Sequence, residues 1–294
     1  MKICIVTDEI SADPETALEL GSSWGIHNFE LRGFFTDRAP CLSDYQKLRL
    51  KEVLDRYDSR IVALSPGLFK IPHPPKLAPN FPLGWMDKAL YDHWFRANKS
   101  LQHQLQELLP LSLEYANELG AGTVLTFAFE RAGAPPGEPP EEVLEALFKA
   151  AERASAAGIQ LAVENEAGFW ADTGARTACL VRKINHPALA VNWDPGNAFF
   201  AGDEPYPEGY REVRGLIKHV HFKDSLRHLD GSLEYVRNGQ IDWAGQIRSL
   251  VEEDYSGFIS VEPHIRPKVA AVKSELERLQ DLIAAAISEP SKIN

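Results

Sequence analysis

The segment HVHFKD, residues 219–224, places four titratable side chains within six residues. If the segment is a β-strand, its period of two puts His219, His221 and Lys223 on one face, opposite a valine and a phenylalanine. One face of the strand is then polar and the other apolar. The polar face could simply meet solvent, or it could supply an imidazole and an ammonium group to a reaction site.

Three carboxylates stand at the ends of other β-rich runs: Glu164 in LAVENE, Asp194 in VNWDPGN and Glu262 in ISVEPH. If these runs are adjacent parallel strands of a barrel, their side chains and that of His221 meet at one end of it. Carboxylates that converge without a cation repel one another, so the arrangement predicts one divalent metal ion. Oxygen ligands with one imidazole suit Mn²⁺, Mg²⁺, Co²⁺ or Zn²⁺, and the sequence does not rank these ions.

The elements that must position these residues follow a repeating order of β-rich run, polar turn and helical stretch. This order predicts eight strands, at 3–7, 28–32, 60–65, 122–127, 158–164, 188–194, 217–222 and 257–262. In the fifth and sixth runs, large apolar residues alternate with polar or small ones, whereas a doubly wound parallel sheet would read as nearly continuous apolar residues. We therefore predict an α/β fold, a single-domain (β/α)8 TIM barrel over residues 1–294.

A long insertion is predicted between strands 3 and 4, over residues 66–120, and it begins with the proline-rich and aromatic stretch PGLFKIPHPPKLAPNFPLGW. Long excursions at a barrel mouth are usually functional. We expect Phe69, Phe81 or Trp85 to help roof the pocket and limit substrate size. The alternative is that these rings pack against the barrel rim.

Composition disfavours several classes of protein. Hydrophobic residues at 44% and charged residues at 25% are typical of a globular domain, and no apolar run approaches the roughly 20 residues of a membrane span. The net charge of −11 disfavours nucleic acid as a partner. The N-terminal apolar run is too short for a signal peptide, and the three scattered cysteines predict no disulfide framework, so we expect a cytoplasmic protein. A homo-oligomer is left open.

The motifs resemble those of the xylose isomerase-like barrel superfamily, in its branch of sugar phosphate isomerases and epimerases. They run nearly end to end: TDEIS, FELRG, LSPG, VENE, NWDPGN, HVHFKD, NGQIDW and GFISVEPH. The H-x-K-D and N-x-D-x-G-N elements are fairly specific, whereas TDEIS or LSPG alone would be weak. The resemblance implies a TIM barrel with one metal ion bound by Glu164, Asp194, His221 and Glu262.

The chain departs from this pattern where many relatives have histidines, because it has Glu166 and Asn197 there. Both positions would normally face the sugar, so a carboxylate and an amide imply a different hydrogen-bonding pattern toward the substrate, which His264 would partly restore. Lys223 is an expected contact to a substrate oxygen. Arg227 matches a position where some relatives place a substrate-binding arginine.

Two further candidates have a structural explanation of equal weight. His219 either contacts the substrate or fills the barrel below His221 through hydrogen bonds. Glu30, in the second strand, either binds the substrate or is a buried carboxylate that pairs with a cation such as Arg32 or Lys223.

The predicted site suits proton transfer at a carbon next to a carbonyl. A small sugar, keto-sugar or related hydroxy-carbonyl compound would chelate the metal, which stabilises the enediolate formed on deprotonation. With Glu164 and Glu262 as the acid-base pair, return of the proton makes the protein an isomerase or epimerase. Loss of a β-hydroxyl instead would make it a dehydratase of an inosose or similar polyol ketone.

Two hypotheses from other classes remain. An apurinic endonuclease-like DNA repair enzyme would need extra histidines and a D-R-H element, where this chain reads SLRHLDGSLEY. A non-catalytic barrel is disfavoured by the four intact ligand positions.

Overall fold

The computed structural model describes residues 1–73 and 100–288. The barrel is built from β1 (Lys2–Val6), β2 (Asn28–Leu31), β5 (Arg60–Leu68), β6 (Thr123–Thr126), β7 (Gln160–Glu164), β8 (Leu189–Trp193), β9 (Ile217–Phe222) and β12 (Phe258–Val261). These eight strands close in the order β1-β12-β9-β8-β7-β6-β5-β2. Neighbouring strands pair in parallel throughout, so their C-terminal ends share one mouth. The predicted TIM barrel is confirmed.

Two short hairpins lie outside the barrel ladder. The first joins β3 (Gly33–Phe34) to β4 (Asp37–Arg38), and the second joins β10 (Ser225–Arg227) to β11 (Leu233–Tyr235). Each hairpin follows a barrel strand within a few residues, so both lie at the C-terminal mouth where the predicted site residues end.

Helices connect the strands, and in the described residues they cover Thr7–Ile10, Pro14–Ser23, Asp44–Arg56, Leu101–His103, Leu109–Leu119, Glu141–Ala156, Gly174–Ile184, Pro195–Phe200, Tyr210–Val213, Trp243–Glu252 and Lys268–Ser288, with π-helical turns at Gln104–Leu108 and Pro205–Gly209. Local sequence explains several of their ends. The helix at Asp44–Arg56 begins with a capping box, in which the Ser43 hydroxyl accepts from the amide of Gln46 and the Gln46 side chain accepts from the amide of Ser43.

Strand β9 shows how the alternating pattern divides the core. Phe222 is fully buried on the outer face, and its ring centroid lies 4.4 Å from that of Trp243 in the helix Trp243–Glu252. His219 and His221, on the other face, are equally buried but point into a polar network. The apolar half of the alternation therefore packs between barrel and helices, while the polar half lies inside the barrel.

The third barrel strand is longer than predicted. It was expected to end at Ser65, before a Pro-Gly pair that usually breaks a strand, but β5 continues to Leu68. A register shift between Leu64 and Leu68 absorbs the interruption, and Gly67 within it has a φ of +74° that a glycine adopts without strain. The strand then resumes pairing with Thr126 of β6.

Among the residues that the structure describes, no helix combines the length and apolar character needed to cross a membrane. The assignment of residues 1–294 to one domain stays a prediction.

Candidate metal centre and active-site pocket

The four predicted metal ligands come together at the C-terminal mouth. Glu164 is the last residue of β7, Asp194 and Glu262 directly follow β8 and β12, and His221 lies next to the end of β9. Their ligand atoms all lie within 4.8 Å of one another. All four side chains are buried, so the repulsion among the three carboxylates is poorly screened by water.

The chemistry of this donor set fits a divalent ion. The Nδ1 atom of His221 lies 3.1 Å from Oε2 of Glu262, 3.5 Å from Oδ2 of Asp194 and 3.6 Å from Oε1 of Glu164. This buried nitrogen makes no aligned hydrogen bond. An imidazole nitrogen that faces three carboxylates at these distances is suited to bind a divalent ion together with them. Their role as ligands stays a prediction.

A protonated imidazole and an ammonium group balance the negative charge of the carboxylates. Burial disfavours the imidazolium of His221, but the charges of Glu262, Glu30 and Glu164 outweigh it and raise its pKa well above the usual value. For Lys223, burial is likewise outweighed by Asp194 and Glu262, and its pKa is raised.

Lys223 directly follows β9 and reaches the cluster, while its expected contact to a substrate oxygen stays a prediction. Its Nζ lies 2.7 Å from Oδ2 of Asp194 and 2.9 Å from Oε2 of Glu262. Its stem crosses Gly196, where an added Cβ would lie only 2.6 Å from Cγ of Lys223. The glycine of NWDPGN thus gives the lysine its path to the two carboxylates.

Arg32 holds Glu262 from the opposite side, a role that the sequence interpretation did not assign to it. Its guanidinium is buried and forms ion pairs with Asp8, Glu9 and Glu262. His264 extends the network, because its Nδ1 lies 2.8 Å from Oε1 of Glu9. Arg32 therefore pairs with Oε1 of Glu262, and Lys223 pairs with Oε2.

Glu30 does not pair with Arg32 or Lys223, the two cations named for it from the sequence. Its partners are the Nε2 atoms of His219 and His221, at 3.0 Å and 3.2 Å. Both strands point these side chains into the barrel interior, below the predicted metal ligands. Glu30 and His219 are absent from the lining of the pocket described below.

Asn197 and Tyr235 support Glu164. The amide nitrogen Nδ2 of Asn197 donates to Oε1 of Glu164 at 3.0 Å, and the hydroxyl of Tyr235 donates to Oδ1 of Asn197 at 3.2 Å. Tyr235 comes from β11 and stacks on Phe200, with ring centroids 4.4 Å apart.

A small polar pocket, with about 20 Å³ of free space, opens above the cluster. Six predicted residues line it: Glu164, Glu166, Asn197, Lys223, Glu262 and His264. Six lining residues were not predicted as site residues: Arg32, Arg38, Ser65, Lys70, Phe127 and Tyr235. The density of charged and hydrogen-bonding groups around it suits a small molecule rich in oxygen atoms.

Lys70 is the partner of Glu166, at an Nζ–Oε2 distance of 2.9 Å, and its ammonium lies 4.2 Å from the ring centroid of Phe127. The sequence held a signal for this lysine, because it lies within the insertion that was expected to reach the pocket. Lys70 also lies directly beside Phe69, the aromatic residue chosen as part of the lid.

Phe69 does not line the pocket; it is fully buried and stacks on Phe129 with ring centroids 4.7 Å apart. Phe69 therefore packs in the core, so it does not roof the pocket, and core packing was not the rim contact given as the alternative. Phe81 and Trp85 lie outside the described residues.

Arg227 is exposed on β10, where its guanidinium carbon lies 5.5 Å from the ring centroid of Phe199. It is not a pocket-lining residue in this structure. The hairpin contributes Tyr235 to the pocket instead.

The fold and the cluster define a class of protein: a (β/α)8 barrel that gathers carboxylates and a histidine at the C-terminal ends of its strands. The family described as xylose isomerase-like TIM barrel matches residues 18–282, and the chain belongs to this family. The resemblance recognised in the motifs is confirmed.

A curated relative is the inosose dehydratase of Geobacillus kaustophilus (strain HTA426), which is 26% identical over 147 residues. The match spans 44% of this chain and 47% of that relative, so the chain matches about half of the relative's length.

Three solved structures share the fold over nearly the whole chain. An IOLI protein with a bound zinc atom has a TM-score of 0.69 and 18% identity, with 98% of this chain and 100% of that chain covered. An L-ribulose 3-epimerase has a TM-score of 0.68 and 18% identity, covering 99% and 100%. A probable 3-DHS dehydratase, AsbF from Bacillus anthracis, has a TM-score of 0.68 and 17% identity, covering 95% and 99%. Named neighbours thus include an epimerase and a dehydratase, and at these identities the likeness shows the fold alone.

Proposed function

We propose that this protein is a divalent-metal-dependent isomerase or epimerase that acts on a small sugar, keto-sugar or related hydroxy-carbonyl compound. The observation that carries the proposal is the convergence of Glu164, Asp194, His221 and Glu262 beneath a small polar pocket. Two of these residues, Glu164 and Glu262, also line the pocket, where a substrate carbon would meet them.

The metal, when bound by these four residues, polarises a carbonyl and stabilises the negative charge left when the neighbouring carbon loses a proton. The protein's own groups move the proton. Lys223, His264 and His221 outweigh the effect of burial on Glu262 and hold its pKa well below its usual value, so this carboxyl is ionised and able to accept a proton. Glu164, held by the amide of Asn197, faces the pocket from β7 as the second acid-base group.

Return of the proton to the same carbon from the opposite face is epimerisation, and its return to the adjacent carbon is isomerisation. Epimerisation needs an acid-base group on each side of the substrate, whereas isomerisation can proceed with one group that moves the proton along a single face. Glu164 and Glu262 end strands that are separated in the barrel by β8 and β9, so they approach the pocket from different directions.

A dehydratase of an inosose or a similar polyol ketone is the second candidate, favoured by the 26% identical inosose dehydratase. In that reaction, the carbon loses a proton to a carboxylate and the β-hydroxyl leaves as water after accepting a proton. Lys223 and His264 line the pocket as candidate proton donors to the leaving hydroxyl. Product analysis separates the two candidates, because only dehydration removes water from the substrate.

A cytoplasmic location and a homo-oligomer stay predictions.

The experiment that tests the proposal is turnover in heavy water. Metal-loaded protein is incubated with free ketoses, ketose phosphates, inososes and hydroxypyruvate, and deuterium incorporation next to the carbonyl is measured by mass spectrometry. We expect one of these compounds to take up deuterium, and Glu164→Gln and Glu262→Gln to slow the uptake at least ~10²-fold.

Metal content must be measured in each variant, since both glutamates are expected ligands. Glu145→Gln on the surface helix is a matched control, because its carboxylate is exposed and pairs only with Lys149 among the residues described. Undiminished exchange in metal-loaded forms of both active-site variants would refute the assigned roles.

A further inference from the structure

Beneath the predicted metal ligands, one oxygen atom of Glu30 collects three hydrogen-bonding groups. Its Oε2 accepts from the hydroxyl of Ser260 at 2.7 Å and lies 3.0 Å from Nε2 of His219 and 3.2 Å from Nε2 of His221. All four residues are at most 1% exposed.

The Ser260 hydroxyl donates to Oε2 of Glu30, so this oxygen is an acceptor, and the nitrogen of His221 that faces the same oxygen must carry the hydrogen. A neutral imidazole has one protonated nitrogen and one with a lone pair. With Nε2 protonated toward Glu30, the lone pair is on Nδ1, the atom that faces Glu164, Asp194 and Glu262. Glu30 thus selects the tautomer that a metal ligand at this position needs.

The side-chain amide of Asn192 also contacts Nε2 of His221. Its hydrogen bonds are consistent with this tautomer if the oxygen and nitrogen of the amide are exchanged. Its Nδ2 lies 3.3 Å from Nε2 of His221, while its buried Oδ1 has no hydrogen-bond partner. The oxygen and nitrogen atoms of an asparagine side chain are assigned from the surrounding hydrogen bonds. If they are exchanged here, Oδ1 of Asn192 accepts a hydrogen bond from the Nε2–H group of His221. The opposite choice leaves Oδ1 unsatisfied and would put two lone pairs, of Nε2 and Glu30, face to face.

From this geometry we infer that Glu30 is a positioning residue, which holds the imidazole of His221 in the orientation and tautomer that completes the metal centre. Glu30 is absent from the pocket lining, so we assign it no contact with the substrate. The inference rests on the metal centre of the proposed function but not on the reaction catalysed there.

The first measurement is made on the unmodified sequence, and a variant serves only to assign signals. In protein loaded with Zn²⁺ and labelled with ¹⁵N at histidine, the His221 signals, assigned with a His221→Gln variant, should show a protonated Nε2 and a metal-bound Nδ1. A protonated Nδ1 in the zinc-loaded protein would overturn the inference.

The second measurement is metal affinity, obtained by competition with a chromophoric chelator. Glu30→Gln keeps the shape of the side chain but removes its charge, and we expect it to weaken binding of Zn²⁺ or Mn²⁺ by about 10–100-fold, the usual effect of removing the partner of a metal-bound histidine. Ser260→Ala is the matched control. It removes a different donor from the same Oε2 of Glu30 without touching His221, so its metal affinity should stay within about threefold of the unmodified protein.

A general loss of structure would lower thermal stability and metal affinity in both variants together, and would contradict the specific role of Glu30. Wild-type affinity in folded Glu30→Gln would also overturn it. Protein that binds metal but turns over none of the tested compounds would refute the proposed function and leave the role of Glu30 intact, whereas failure to bind any divalent ion would refute both.

Discussion

The side-chain amide of Asn197 donates to Oε1 of Glu164 at 3.0 Å and, through the same nitrogen, to the main-chain carbonyl of Asn165 at 3.0 Å. This residue was expected to contact the substrate in place of a histidine. It does line the pocket, but its donor is engaged by the carboxylate that we assign to proton transfer. We therefore expect Asn197 to act on the proposed reaction by orienting Glu164.

Asn197→Ala should slow deuterium exchange by about 10-fold or more, because a hydrogen bond to a charged group contributes about 1.5–3 kcal/mol. Tyr235→Phe removes only the hydroxyl that orients the amide, and its effect should be clearly smaller. Exchange rates of the two variants at matched metal content provide the test. A larger loss of exchange rate in Tyr235→Phe than in Asn197→Ala would contradict the view that Tyr235 acts on Glu164 only through Asn197.

Removing the metal should lower the thermal stability. The three buried carboxylates lose their compensating ion, and an ion present at about 100 times its dissociation constant stabilises the native state by about 2.7 kcal/mol. Differential scanning calorimetry with a chelator and after addition of Mn²⁺ or Zn²⁺ measures the shift in Tm. Asp194→Asn should reduce the shift in Tm. If neither the chelator nor the added ion changes the Tm of the unmodified protein, that result would argue against a metal centre.

Lys223→Met should destabilise the metal-free protein more than the metal-loaded one. The substitution leaves Asp194 and Glu262 buried without their ammonium partner, which typically costs about 3–5 kcal/mol, and a divalent ion restores part of the missing charge. Urea unfolding of both forms gives the two free energies. Lys149→Met removes an exposed lysine paired with Glu145 and should change either value by no more than about 0.5 kcal/mol. Equal losses in both forms for Lys223→Met would contradict the expectation.

Metal binding should tighten as pH rises. The pKa of His221 is raised in the metal-free protein, so near neutral pH the imidazole carries a second proton that a metal must displace. The affinity should therefore increase by up to tenfold per pH unit, for one released proton, until the pH exceeds that raised pKa. Isothermal calorimetry in two buffers of different ionisation enthalpy counts the protons released. Binding without proton release near pH 7 would show that His221 is already neutral.

The sequence alone determined the barrel and the positions of the four ligand candidates. A period of two along each strand separates inward from outward side chains, and parallel strands place their C-terminal ends at one mouth. Glu164 and Asp194 could therefore be assigned to a common site without coordinates, as could His221 and Glu262. The end of β5 was missed, because a Pro-Gly pair normally ends a strand and only the bulge seen in the fold lets pairing resume at Leu68.

What the tertiary structure decided was which charged groups meet. Arg32 and Glu262 are 230 positions apart, and Glu30 and His221 are 191 apart, so no local pattern connects them. Packing also decides that Tyr235, and not the predicted Arg227, lines the pocket. Tyr235 pairs with Ser225 at the barrel end of the β10–β11 hairpin, whereas Arg227 pairs with Leu233 farther out. Periodicity along a strand tells which face a side chain takes, but the partner it finds depends on how distant strands and hairpins pack, and that is set only when the barrel closes.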